Sequence, residues 1–363
     1  MNSLESQLDY PFGDTLPAPA AAMQVAPGVY WLRMGLPFAL NHINLWLLED
    51  EIEAEDGGGP VKGWTVVDCG IADDTTRAAW ETVFASQLRG LPILRVVVTH
   101  CHPDHIGLAS WLCSRWQAPL WMSAGEYAFA RMMAASLPGV DGASMFPHFA
   151  RHGMLNHALT TQLEARRNYY PSLVPAVPQA YVRMQDGQAL RIGGHDWRVI
   201  TGFGHAPEHV ALHCGSLGLL ISGDMVLPRI STNVSVFAIE PEANPVRLYL
   251  DSLEKYGDLA ADTLVLPSHG KPFRGLHVRI RQLQEHHAER LEEVLEACRA
   301  PCSAADIVPI MFRRPLDAHQ LTFALGEALA HLHLLWFARR LQRVLGADNV
   351  YRFRLADPGT DDL

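Results

Sequence analysis

The chain has no long apolar run. Nothing in its 363 residues approaches the roughly 18 consecutive apolar positions that a bilayer span requires, so no membrane span is expected. It has no basic excess either: 29 Lys and Arg face 39 Asp and Glu, a formal charge of −10. That balance does not draw a surface to nucleic acid or to an anionic membrane. Cysteine is scarce. Cys69, Cys101, Cys113, Cys214, Cys298 and Cys302 show neither CxxC nor the paired spacing of a disulfide framework, and the expectation is reduced thiols in a cytoplasmic protein. Met1 to Met23 carries no basic segment leading into an apolar run, so no secretory signal is expected. Charged residues make up only 19% of the chain and hydrophobic ones 48%, the balance of a packed globular enzyme. The length suffices for a full-sized core and a second, smaller module.

What is present is an alternation of strand and helix patterns. After an irregular arm at residues 1–25, apolar periodicity predicts strands at Val29–Arg33, Ile43–Leu48, Trp64–Val67 and Ile93–Val98, with a turn at Asp56–Pro60. Helices are predicted at Asp73–Leu88 and from Asp104 to Arg115. Residues 125–185 read as a mostly helical insertion broken by prolines. Short strands return at Ala189–Ile192, Trp197–Thr201, Val210–Cys214, Leu217–Ser222 and Thr263–Leu266, with a helix near Val246–Tyr256. Beyond Gly275 the pattern is helical. Ile280, Leu283, His287, Leu291, Val294 and Cys298 share one helix face. Ser303 and Asp317 stand where two further helices would start, and Val350–Leu355 reads as a closing strand. The division is therefore residues 1–275 and a small module at 276–363.

The chemistry concentrates in His100-Cys101-His102-Pro103-Asp104-His105, four potential ligands within six residues, directly after a buried strand. Imidazole nitrogen and carboxylate oxygen are the ligands that borderline divalent metals take. A loop at the carboxyl end of a strand is where α/β proteins bind ligands. Asp68, His205, Asp224 and His269 each stand at or just beyond the end of another predicted strand. Singly, each is a turn former or an ordinary histidine. Together they place acids and imidazoles at five strand ends.

In this order the residues resemble the metallo-β-lactamase superfamily over roughly residues 25–275. The resemblance implies a four-layer αββα sandwich of the α+β class, with metal ions at one edge. It implies that His100, His102 and His205 hold one divalent metal, that Asp104, His105 and His269 hold a second, that Asp224 bridges them, and that Asp68 orients a ligating imidazole. Zinc is the first expectation, with iron or manganese as alternatives. The full His and Asp set is similar to the hydrolytic dinuclear branch that includes glyoxalase II thioesterases and lactonases. The module at 276–363 resembles the winged-helix-like tail of the lactamase-β-like subgroup.

The expected activity is hydrolysis of a small or medium acyl substrate, a thioester or lactone, by hydroxide held between two metals, with Asp104 or Asp224 handling the proton. A phosphodiesterase or ribonuclease, a non-catalytic ligand-binding protein and a mononuclear iron persulfide oxygenase are the alternatives. Residues 301–363 hold seven Arg and no Lys against seven acids, which argues against RNA. The tail is expected to pack, to close the pocket or to make a homodimer. Candidate substrate residues are Tyr169 and Tyr170, with Arg166 and Arg167 before them, Ser231 and Asn233 after Arg229, and Lys271 near Arg274. Cys101 is expected to be a buried spectator. His148, His152 and His157 are expected to be non-ligands.

Overall fold

In a computed structural model, residues 4–54, 58–154 and 169–357 are described. The first sheet carries β1 (Met23–Ala26), β2 (Val29–Gly35), β3 (His42–Glu53) and β4 (Pro60–Val67) as an antiparallel meander. Helix α1 (Asp74–Ser86) then crosses to β5 (Ile93–Val97), which pairs parallel to β4. Asp73 caps α1 by accepting the Thr76 N–H at 2.6 Å. Helices α2 (Pro103–Ile106) and α3 (Ala109–Trp116) lead to β6 (Leu120–Met122). Beyond it come α4 (Ala124–Ala134), α5 (Gly142–Ala150), α6 (Tyr169–Leu173) and β7 (Val182–Arg183), with β5, β6 and β7 all parallel. Parallel neighbours need such crossovers, which lay helices against one face of the sheet.

The second sheet contains β8 (Ala189–Ile192), β9 (His195–Gly202), β10 (His209–Cys214) and β11 (Leu219–Gly223), all antiparallel. After α7 (Pro245–Glu254), β12 (Leu264–Pro267) adds to β11 in parallel. The chain ends in α8 (Leu276–Ala297), α9 (Ala304–Met311), α10 (Ala318–Phe337) and the hairpin of β13 (Leu341–Leu345) and β14 (Tyr351–Leu355). No helix among the described residues is long and apolar enough to cross a membrane.

Side-chain alternation along the strands sorts the core into three apolar layers. Trp31, Trp46, Val67, Val97, Trp197, Leu212 and Ile221 fill the space between the sheets. Trp64, Val66 and Val96 face the other way, against Trp80 and Val83 of α1 and Leu112 of α3. On the far side, Ile200, Ala211, Leu220 and Val265 meet α7, α8 and α10 through Tyr249, Leu283 and Leu329. The result is an αββα sandwich with a helical C-terminal region. That region shares its apolar cluster with the outer face of the second sheet, so its helices are packed onto the sandwich.

Several expectations shift. The helix predicted from Asp104 to Arg115 is two helices, because Leu108 donates its N–H to Gly70 (3.1 Å) and pulls the chain out of helical phase at residues 107–108. Strands β6 and β7 have three and two residues, too short for a periodicity to register. The single closing strand is half of a hairpin, because β13 follows α10 directly. Strands β3 and β4 reach to Glu53 and Pro60, beyond the predicted ends; residues 55–57 of the turn lie outside the described set.

Candidate metal centre

The edge where β4, β5, β9, β11 and β12 end carries the seven residues. His100, His102, Asp104 and His105 lie just past β5. His205, Asp224 and His269 follow β9, β11 and β12. His100 Nε2 stands 2.9 Å from His102 Nδ1 and 3.3 Å from His205 Nε2. His105 Nε2 is 3.7 Å from Asp104 Oδ2 and 3.6 Å from Asp224 Oδ1. His269 Nε2 is 3.4 Å from Asp104 Oδ2 and 3.5 Å from Asp224 Oδ1, while Asp224 Oδ2 is 3.5 Å from His205 Nε2. Among the described residues three groups could hold an ion: His100 with His102 and His205, His100 with His105 and Asp224, and Asp104 with His105 and His269.

Two observations test whether these residues fit metal. First, most contacts are too long for charged hydrogen bonds, which run to about 2.9 Å. They match the separation of about 3.4 Å between two ligands of a tetrahedral ion with metal–nitrogen bonds of about 2.1 Å. Second, His105 Nε2 and Asp224 Oδ1 are buried without any hydrogen-bond partner among the described residues. Buried polar atoms are rarely left so. The donor set fits a divalent cation.

Outward-facing nitrogens fix the rings. His105 Nδ1 donates to Asp68 Oδ2 at 2.8 Å, His205 Nδ1 to the Asn233 carbonyl at 2.8 Å, and His269 Nδ1 to the His42 carbonyl at 2.8 Å. Each bond leaves the Nε2 lone pair aimed inward. Asp68 sits at φ +62° and also accepts from the Thr99 N–H and hydroxyl, while His100 Nδ1 lies 3.0 Å from that hydroxyl.

Sequence reasoning missed Thr99, His42 and His209. His209 accepts the Asp224 N–H through Nε2 at 3.1 Å. That approach requires Gly223, because a Cβ there would lie 2.3 Å from His209 Nε2. His209 was visible in Gly204-His205-Ala206-Pro207-Glu208-His209, but nothing in the spacing separates a ligand from a residue that holds one.

The same fold recurs in known proteins. Residues 58–269 match the metallo-beta-lactamase superfamily, and residues 291–356 match the metallo-beta-lactamase-like C-terminal domain. The chain belongs to the metallo-β-lactamase superfamily. It is 59% identical to a beta-lactamase domain protein from Burkholderia ambifaria, covering 98% of this chain and 100% of that one with a TM-score of 0.91. A metallo-beta-lactamase family protein from Thermus thermophilus is 28% identical, with 92% and 100% covered and a TM-score of 0.73. A probable metallo-hydrolase of Bacillus subtilis, YqjP, is 23% identical over 84% of this chain and 91% of its own.

Charge at this superfamily site is divided without metal. Burial would depress His105, but Asp104, Asp68 and Asp224 outweigh it and hold the ring up at about 9. His269 is likewise raised against burial by Asp224 and Asp104. Burial would raise Asp104, yet His105 and His269 pull it down to about 2. His100 is lowered by burial and then by its neighbouring imidazoles, and His102 is lowered to about 3, again chiefly by burial. A cation entering here takes the place of protons on His105 and His269.

Most of the expected substrate residues make hydrogen bonds within the chain. Tyr170 has its ring buried in the layer under α3, and its hydroxyl donates to the Cys101 carbonyl at 2.6 Å. Lys271 is tied to the N-terminal arm, 2.7 Å from Asp14 and 2.9 Å from the Gly13 carbonyl, so its ammonium is already engaged. Asn233 places its backbone oxygen on His205, and its side chain bonds Glu327 of α10 and Ser235. Ser231 is half-buried beside Thr232, whose hydroxyl donates to the Asp224 carbonyl. Tyr169 is half-buried at the start of α6. Arg166, Arg167 and His157 lie outside the described residues. Cys101 is buried in the α3 layer, and His148 and His152 pack against each other near α10, away from the seven.

Proposed function

We propose that this metallo-hydrolase of the metallo-β-lactamase superfamily uses two divalent ions to hydrolyse a small or medium acyl substrate, a thioester or lactone. The observation that carries it is the posture of Asp224. One oxygen faces His205, at 3.5 Å; the other faces His105 and His269, at 3.6 and 3.5 Å. A single carboxylate spanning two sets of imidazoles suits a bridging ligand. His100, His102 and His205 would hold one ion, and Asp104, His105 and His269 the other. Zinc suits this ligand set best, ahead of iron or manganese. When bound, such ions polarise an acyl oxygen and bring the pKa of water down to about 7.

The remaining steps fall to the chain itself. Asp68, Asn233 and His42 hold the imidazoles in orientation, so little reorganisation is needed as charge develops. Before reaction Asp224 and Asp104 are ionised, drawn down against burial by His269 and His105. Asp104, with 18% of its side chain exposed and Oδ2 3.4 Å from His269, holds or relays the proton that leaves water and reaches the departing thiolate or alkoxide. No serine or cysteine nucleophile is needed, since Cys101 is buried away from the cluster.

Elemental analysis of the purified chain, followed by a screen of thioesters and lactones, tests the proposal. About two ions per chain and hydrolysis that collapses in Asp224→Ala are expected. One iron per chain with oxygen uptake on a persulfide overturns it, as does full turnover in a metal-depleted Asp224→Ala protein.

A further inference from the structure

The amino end of α4 rests against both histidine loops. Ser123-x-x-Glu126 reads in sequence as a capping box, in which the glutamate would turn back to the Ser123 N–H. The serine does cap, accepting the Glu126 N–H at 3.4 Å. The glutamate does not turn back. Its Oε2 accepts the Cys101 N–H at 2.8 Å and its Oε1 accepts the Glu208 N–H at 2.6 Å. Glu126 is fully buried. Glu208 returns the contact, accepting the Gly125 N–H at 2.7 Å, while the Ser123 hydroxyl donates to the Glu208 carbonyl at 2.7 Å. A Cβ on Gly125 would come within 2.9 Å of the Glu208 side chain.

Cys101 lies between His100 and His102, and Glu208 three residues past His205. One planar carboxylate therefore spans the two loops whose imidazole nitrogens meet 3.3 Å apart. Each oxygen accepts one backbone N–H, a pair of bonds that a side-chain amide could not reproduce. We propose that Glu126 is a positioning residue that sets the separation of His100 and His102 from His205, and with it the affinity of that three-histidine group for its metal. The inference rests on the two-ion reading above.

Glu126→Gln puts an amide NH2 against one of the two N–H groups and leaves a single tether. Glu126→Asp keeps the charge but is one methylene too short to reach both loops. The full chain is loaded with Co(II), and each equivalent is titrated by chelator competition and by its absorption spectrum. In both variants one equivalent should keep parental affinity, while the other weakens about 10- to 100-fold with an altered spectrum. A merely structural role would lower the melting temperature and leave both affinities alone. Both equivalents within twofold of the parent, or both weakened alike, overturns the inference and leaves the two-ion reading standing. A parent that binds no second equivalent overturns both. If neither variant folds by circular dichroism, Tyr170→Phe removes only the tether on the Cys101 carbonyl. It should weaken the same equivalent by a smaller factor, and an unchanged equivalent overturns the inference.

Discussion

At the sheet edge, five imidazoles stand around Asp104 and Asp224. Under the outer face of the second sheet, His287, His331 and His333 are equally buried, yet none has a carboxylate at ion-pair distance among the described residues. Their outward bonds are alike. His331 Nδ1 donates to the Glu327 carbonyl and His333 Nδ1 to the Ala243 carbonyl, both at 2.8 Å, much as His205 and His269 do. Burial and ring orientation therefore do not make a metal site. The difference lies at the inner nitrogen. Among the described residues His287 Nε2 and His333 Nε2 have no hydrogen-bond partner, whereas at the edge several donors converge around shared carboxylates. The charge follows: burial pushes His287 down to about 2 and His331 and His333 down to about 4, while His105 is held at about 9.

Substitution probes this contrast most strongly. Asp224→Ala should lower hydrolysis by on the order of 10³-fold or more and reduce metal per chain, measured by steady-state rates and elemental analysis. His287→Phe, which removes the 3.0 Å bond to His331, should leave metal content unchanged and activity within about twofold. Its effect should be a stability loss of about 1–3 kcal/mol in urea. Equal metal loss in the two variants would erase the distinction. Chelation comes next. An ion bound only by the native state at 1,000 times its Kd contributes about 4 kcal/mol, so metal removal should lower the melting temperature, and added metal should restore it.

Asp68→Asn should then weaken metal binding about 10- to 100-fold without unfolding the chain, because it loosens the orientation of the His105 ring but removes no ligand; chelator competition reads this. Acid probes the second cluster instead. His331 and His333 have folded values of about 4 against 6.5, so the unfolded chain binds more protons in between. Their contribution is complete above pH 6.5 and is lost as pH falls from 6.5 toward 4, at about 1 kcal/mol per unit for each ring. Urea melts of the metal-free protein across that range should show the slope, and His331→Phe should reduce it.

The sequence made the metal edge legible because its chemistry sits at strand ends. His100 to His105 follows a buried run, and Asp68, His205, Asp224 and His269 each end another. Most of the longer strands were readable from apolar alternation, while their arrangement in two packed sheets came from the family resemblance. What stayed hidden depends on contacts between distant segments. Tyr170 near two arginines suggested a pocket, but its hydroxyl goes to Cys101, 69 residues earlier. Lys271 looked free for substrate until the arm placed Asp14 beside it. Glu126 carried the pattern of a helix cap, and only the packing of α4 against two loops reveals its other use.

The strand-end arrangement also governs how the centre comes into being. Its donors are scattered from residue 100 to residue 269 and arrive on strands of both sheets. A nascent chain emerging from its amino end exposes His100 and His102 long before His269 exists. No local segment can trap an ion in the final geometry, and the centre must close late, after the second sheet has docked. Metal uptake during refolding should therefore lag behind the burial of the tryptophans that lie between the sheets.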